Sequence, residues 1–167
     1  MDSKIILFLL AALLLTSCKE NKWADWKVMN QAWMDNKALE EGVKKTESGL
    51  LYKIIADPTP QDACPNVTST IVCDYTCKLI NGYQVDGGQN VALDLNNTIS
   101  GFAEGCHKIH NNGDIELYIP PHLGYDKSTF DSDSYYDAEG YGTEGTQSYI
   151  PPYSALIYTV HICAVTY

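Results

Sequence analysis

Between residues 71 and 79 the chain alternates strictly. Ile71, Cys73, Tyr75, Cys77 and Leu79 occupy the odd positions, and Asp74, Thr76 and Lys78 lie among the even ones. Successive side chains of a β-strand point to opposite faces, so a period of two predicts a strand with one buried and one solvated face. The Asn81-Gly82 pair that follows predicts a two-residue hairpin turn, with residues 83–85 beginning the return strand. Further strands are predicted at 50–55, stopped by Asp57-Pro58-Thr59-Pro60, at 91–95, and at 115–119, which ends at Pro120-Pro121. Residues 155–165 are apolar on both faces, which predicts a central strand. Within this region only residues 99–109 (ISGFAEGCHKI) read as a helix, short and weakened by Gly101 and Gly105. Antiparallel strands burying one face on a single helix make an α+β fold.

The first 46 residues read differently. Residues 5–15 are eleven continuous apolar residues after Lys4. Crossing a bilayer takes about 20 residues, so this run suits the core of a signal peptide. The Leu15-Thr16-Ser17-Cys18 stretch behind it resembles the bacterial lipobox. That resemblance implies cleavage before Cys18 and a lipid on its thiol, which tethers the remainder to the bacterial cell envelope, on its periplasmic or its exposed side. Residues 20–45 then read as one helix, with Trp26, Met29 and Trp33 at spacings of three and four. All three Trp of the chain lie here, at 23, 26 and 33. The stretch is either a spacer packed on the domain or an arm for substrate or for a homodimer through residues 20–45. The organisation is thus a lipoprotein signal peptide (1–17), a lipidated tether with a helical arm (18–46) and a folded domain (47–167).

Charge excludes one class of partner. The net charge is -10, and all eleven basic residues are Lys. A nucleic-acid binder needs a basic face to displace counterions, and none can be assembled here. Half of the net charge comes from one acidic, Tyr-rich loop at 126–148, which holds Asp126, Asp131, Asp133, Asp137, Glu139 and Glu144 against Lys127. Its Asp-Ser-Asp run hints at Ca²⁺, but the glycine and terminal glutamate of a calcium loop are missing, so a solvated flap is the favoured reading. Beyond Cys18 there are five cysteines, Cys64, Cys73, Cys77, Cys106 and Cys163, whose pairing stays open. Cys73 and Cys77 are too far apart for a CxxC pair and read as packed small apolar groups. The four His residues show no metal-ligand spacing, so no metal and no cofactor is expected.

The order of motifs from Ser48 to the end resembles the FKBP-type peptidyl-prolyl isomerase family, and the whole chain resembles a bacterial lipoprotein member of it. The residues concerned are Ser48-Gly49-Leu50-Leu51-Tyr52; Tyr75-Thr76 with Leu79, Asn81-Gly82 and Asp86; Ile99-Ser100-Gly101-Phe102-Ala103-Glu104-Gly105; Leu117-Tyr118-Ile119-Pro120-Pro121 with Gly124-Tyr125; and Ile150-Pro151-Pro152 with Ala155-Leu156-Ile157. The resemblance implies a half-barrel antiparallel sheet wrapped around one short helix, with an apolar pocket between them. It implies cis–trans isomerisation of X–Pro bonds in proline-containing polypeptides, here in the folding of exported proteins. Carried over by position, Asp86, Phe102 and Tyr125 would be the catalytic groups, with Phe102 as the floor. Tyr75, Val85, Val91, Ile99, Ile150 and Tyr158 would bind substrate, and the Ile99 N–H and the Tyr125 phenol would grip its carbonyls.

Several positions depart from the family pattern. Val85 and Val91 stand where active members carry Phe, the floor is Phe102 in place of Trp, Cys77 replaces a Gly, and Asp126 follows Tyr125. Each Phe-to-Val exchange removes apolar surface worth about 0.8 kcal/mol per buried CH₂. This favours a competing reading, an FKBP-like binding module or chaperone with little turnover. The acidic lip at 126–148 is expected to disfavour acidic segments beside the proline.

Overall fold

The computed structural model describes residues 23–58, 64–125 and 150–167. The expected signal peptide at 1–17, the expected lipidation site Cys18 and the acidic stretch at 126–148 lie outside the described residues. Helix α1 (Ala24–Lys37) comes first, followed by strands β1 (Lys44–Lys45), β2 (Leu51–Ala56), β3 (Thr70–Leu79) and β4 (Gln84–Asp94). Helix α2 (Ser100–Cys106), β5 (Asp114–Ile119) and β6 (Leu156–Thr166) complete the described chain. The six strands form one sheet in the order β1-β2-β5-β6-β3-β4, with every neighbouring pair antiparallel. Strand β6 is central, as its two apolar faces require. Among the described residues no helix is long and apolar enough to cross a membrane.

Alternation decides which side chains go where. Ile71, Cys73, Cys77 and Leu79 of β3 are buried, and Tyr75 is half-buried on the same face. They share a core with Ile115, Leu117 and Ile119 of β5, Leu156, Tyr158, Val160 and Ile162 of β6, and Phe102 and Cys106 of α2. The opposite face carries a second, smaller core. Leu51, Tyr118 and Ala155 meet Met34 of α1, with Trp33 and Ile157 packed around them. The sheet therefore lies between two helices, and α1 covers the face that α2 leaves bare.

Two expectations for the N-terminal helix change here. The N-terminal helix stops at Lys37 rather than near residue 45. Gly42 turns the chain at φ +82°, and Lys44-Lys45 then pairs with Tyr52-Leu51 as an edge strand. The buried face of α1 is also rotated: Met29 is 56% exposed, while Asn30 and Met34 are buried and Trp26 and Trp33 half-buried. A buried asparagine breaks the apolar pattern that periodicity looks for. Asn30 is satisfied by the fold, since its Nδ2 donates to Trp26 O at 2.8 Å and its Oδ1 accepts the Ala155 N–H at 2.8 Å. Trp26 Nε1 donates to Ser154 Oγ at 3.0 Å, so the tryptophan face is engaged with the chain's own sheet.

The hairpin between β3 and β4 closes through three residues, Ile80, Asn81 and Gly82, not two. Gly82 N–H donates to Leu79 O and Leu79 N–H to Tyr83 O, both at 2.9 Å, with Gly82 at φ +85°. This is a type I turn closed by a left-handed glycine, and Asn81 Oδ1 accepts the Tyr83 N–H at 3.0 Å. All five described cysteines are free thiols. Cys73, Cys77 and Cys106 fill core space beneath the sheet, where burial pushes the Cys73 thiol up to about 11 and the Cys77 thiol to about 12.

Candidate active site

Helix α2 begins at Ser100 directly after an extended Ile99, and its first turn presses Phe102 into the core. Above Phe102, between the helix start and the β3–β4 hairpin, lies a cleft of about 390 Å³. Its lining is Tyr75, Asp86, Leu93, Asn97, Thr98, Ile99, Phe102, Tyr125 and Tyr158.

Three aromatic rings form one unit at its base. Phe102 packs edge-on against Tyr158 with centroids 5.1 Å apart, and against Tyr75 at 6.2 Å. Tyr75 and Tyr158 stack at 6.0 Å with an interplanar angle of 28°. Such offset and edge-to-face contacts hold rings in place beyond what area burial alone would give. The rim is polar. Tyr75 Oη donates to Asp86 Oδ2 at 3.1 Å, and the Gly87 N–H donates to Asp86 Oδ1 at 2.7 Å. Both oxygens of an exposed carboxylate are thus held in one orientation.

The phenols are kept protonated. Burial first, then the neighbouring Asp86, pushes the Tyr75 hydroxyl up to about 12. Burial, then Cys77 and Asp86, raises Tyr125. Tyr158 is raised by burial first and then by the neighbouring Cys77. At neutral pH the cleft offers apolar walls, neutral hydrogen-bond donors and one carboxylate. Among the described residues no group of three His, Cys, Asp or Glu could hold a metal ion.

The structure brings together six of the nine positions expected from the sequence: Tyr75, Asp86, Ile99, Phe102, Tyr125 and Tyr158. The other three are not part of the lining. Val85 is 8% exposed within the main core, and Ile150 packs half-buried against that core. Val91 is half-buried beside Gly88, where a Cβ on the glycine would collide with its methyl groups. For the two β4 residues, Val85 and Val91, the cause is register. β4 carries an extra residue twice relative to β3: Cys77 pairs with Asp86 while Lys78 pairs with Gln84, and Cys73 pairs with Val91 while Tyr75 pairs with Gly88. Each bulge re-aims the side chains around it. The second includes Asn90 at φ +53°, whose N–H is held by Asp74 Oδ1 at 2.6 Å.

Leu93, Asn97 and Thr98 are lining residues that reading the sequence missed. Leu93 sits on the alternating 91–95 strand, two residues from Val91. Asn97 and Thr98 carried a signal in their position, since polar residues just before a helix are where the chain changes direction.

Comparison with known proteins agrees with this architecture. The family model of the FKBP-type peptidyl-prolyl cis-trans isomerases matches residues 61–163. The chain belongs to that family. It is 29% identical over 150 residues to the isomerase FkpA of Escherichia coli K12, covering 87% of this chain and 48% of that protein. It is 34% identical over 127 residues to a probable FKBP-type isomerase of Haemophilus influenzae, covering 74% of this chain and 45% of that protein. The chain thus spans about half the length of the curated relatives it matches. The crystal structure of Escherichia coli FkpA superposes with a TM-score of 0.70 at 27% identity, over 99% of this chain and 73% of that one. An isomerase from Pseudomonas syringae pv. tomato shares the fold at a TM-score of 0.66 and 18% identity, covering 84% of this chain and 92% of that one. Family membership and the antiparallel α+β architecture are therefore established together.

Proposed function

We propose that this chain is a peptidyl-prolyl cis–trans isomerase that binds X–Pro segments in the cleft above Phe102. The observation that carries the reading is the aromatic unit of Tyr75, Phe102 and Tyr158 beneath a rim of Asp86 and Tyr125. Rotation about an X–Pro amide faces a barrier of roughly 18–20 kcal/mol because the C–N bond loses its resonance in the twisted state. No bond is made or broken, so neither nucleophile nor metal is required. A cleft accelerates the rotation by binding the twisted amide better than the planar one. Apolar walls receive the pyrrolidine ring, and the Tyr125 hydroxyl and the Ile99 N–H serve as donors to the flanking carbonyls. Asp86 stands at the rim as an oriented acceptor.

The isomerase is tested by relaxation of a proline-containing peptide from its cis excess, using residues 23–167. Helix α1 must be retained because it covers one sheet face. The chain is expected to accelerate relaxation at micromolar concentration, and Tyr125→Phe to lower the rate about tenfold, the worth of one hydrogen bond made chiefly in the transition state. No acceleration by a folded chain would replace the enzyme with a binding module.

The proposal extends to place. Residues 1–17 serve as a lipoprotein signal peptide, and a lipid on Cys18 tethers the enzyme to the cell envelope, where it assists exported proteins. The support is the apolar run of residues 5–15 followed by Leu15-Thr16-Ser17-Cys18. Cys18→Ala is expected to abolish incorporation of labelled fatty acid in cells, and continued incorporation would remove the anchor from the proposal. Self-association through residues 20–45 would use the exposed Val28 and Met29, since the tryptophan face is occupied.

A further inference from the structure

Asp57, Cys64 and His110 are distant in sequence and meet where β2 ends, where the chain approaches β3, and where the turn after α2 leads into β5. His110 Nδ1 lies 3.0 Å from Asp57 Oδ1 and 2.9 Å from Oδ2. The His110 backbone N–H donates to the same Oδ1 at 3.1 Å. This clasp sets the plane of the ring and places its proton on Nδ1, so Nε2 is the acceptor. Cys64 Sγ lies 3.1 Å from that Nε2. A thiol, an imidazole and a carboxylate in series form the arrangement in which a base removes the proton of a sulfur nucleophile while a third group orients the base.

The electrostatics keep Cys64 protonated at rest, so a nucleophilic thiolate forms there only with the help of a base. Burial and Asp57 push the Cys64 thiol up, and Lys108 opposes them. The resting group is therefore S–H donating to Nε2, and the thiolate forms as His110 takes the proton. Access differs sharply among the thiols: Cys73, Cys77 and Cys106 are buried, whereas Cys64 and Cys163 are half-exposed. The cluster also stands apart from the isomerase cleft. Thr98, Ile99 and Phe102 of the cleft lie at the N-terminal end of α2, and His110 lies beyond its C-terminal end.

We propose that Cys64 performs thiol–disulfide exchange with His110 as its general base, on a disulfide carried by a polypeptide or by a small thiol dimer. In R–S–S–R′ the Cys64 sulfur attacks one sulfur, the Cys64–S bond forms, and the S–S bond breaks. The Cys64 proton passes to His110 Nε2 and from there to the leaving R′S⁻, which departs as R′SH. Cys64 is oxidised to a mixed disulfide and R′ is reduced to a thiol, so the incoming disulfide is the only oxidant. Such exchange needs a nucleophile, a base and access, and the cluster provides all three.

The full chain incubated with oxidised glutathione, and separately with a disulfide-bonded synthetic peptide, tests this by peptide mass spectrometry resolved at each cysteine. Adducts are expected on Cys64 at least about tenfold faster than on Cys163, a modest share of what general-base assistance supplies. His110→Gln is expected to remove that advantage while the Cys163 rate stays unchanged. Labelling of Cys73, Cys77 or Cys106 in the variant would reveal unfolding, and the wild-type ratio of Cys64 to Cys163 then decides alone. Equal rates at the two thiols, or a Cys64 rate indifferent to His110→Gln in a folded variant, would overturn the proposal. A faster reaction with the peptide assigns the substrate to polypeptides, and the reverse assigns it to small disulfides.

Discussion

Phe102→Ala is expected to lower the unfolding free energy by about 3–5 kcal/mol and to remove measurable isomerase acceleration. Both effects arise from one location. Phe102 is 2% exposed, its ring lies within 6.2 Å of both Tyr75 and Tyr158, and it belongs at once to the core beneath the sheet and to the lining of the cleft. Truncation to Ala leaves a cavity that α2 cannot collapse into, because Gly101 and Gly105 already hold the helix backbone against β5. It also releases Tyr75, whose hydroxyl orients Asp86. Phe102→Leu separates the two roles. Keeping apolar volume, it is expected to cost less than about 1.5 kcal/mol, while the loss of the aromatic wall still slows isomerisation. Urea unfolding and peptide relaxation, measured on both variants under conditions where each is folded, check this. Full activity in folded Phe102→Leu would show that the ring is core only. Unchanged stability in Phe102→Ala would show that the cleft floor lies elsewhere.

What was legible in the sequence followed from strict periodicity. The alternation from Ile71 to Leu79 placed β3 and its buried face residue by residue, and the two apolar faces of 155–165 placed β6 at the centre of the sheet. Where a local device overrides the period, pattern reading slips. The bulges of β4 are such devices, since one extra residue moves Val85 into the core and leaves its neighbour Asp86 on the cleft. No alternation announces them; the only local trace is Asn90, a residue that tolerates positive φ. Helix α1 slipped for a different reason. Its buried face includes Asn30, which a hydrophobic period counts as exposed, so periodicity alone places the stripe through Met29. Only the tertiary partner, the Ala155 N–H, makes that asparagine a favourable core residue. The family resemblance reached most of the cleft because the motif residues at Tyr75, Asp86, Ile99 and Phe102 stay in step with the structure. It could not reach Leu93, whose place depends on the register of this particular hairpin.

Gly105→Ala is expected to destabilise the protein by about 1–2 kcal/mol, opposite in sign to what helix propensity alone predicts. In an exposed helix the exchange gains up to about 1 kcal/mol, because alanine loses less backbone freedom and shields the backbone. The same propensity makes the glycine-bearing α2 read as a weak helix from sequence. Packing reverses it. A Cβ at Gly105 would sit 2.5 Å from Leu117 Cδ1 and 2.9 Å from Leu117 Cγ. Leu117 is fully buried at the centre of β5 and cannot swing outward to make room. Overpacking of this kind costs about 1–3 kcal/mol, which outweighs the propensity gain. Gly101, one turn earlier on the same face, is placed likewise, with a Cβ meeting Ile119 and lying 3.1 Å from Leu123 Cβ. The two glycines are therefore what lets α2 lie against β5, and with it what sets the height of Phe102 beneath the cleft. Leu117→Val removes the obstructing δ-carbons, so in the double variant Gly105→Ala is expected to cost at least about 0.5 kcal/mol less than it does alone. Denaturant midpoints at unchanged slope measure each term. If Gly105→Ala proves stabilising, α2 has freedom to move away from β5, and the cleft floor is correspondingly less rigid than the packing of Leu117 implies.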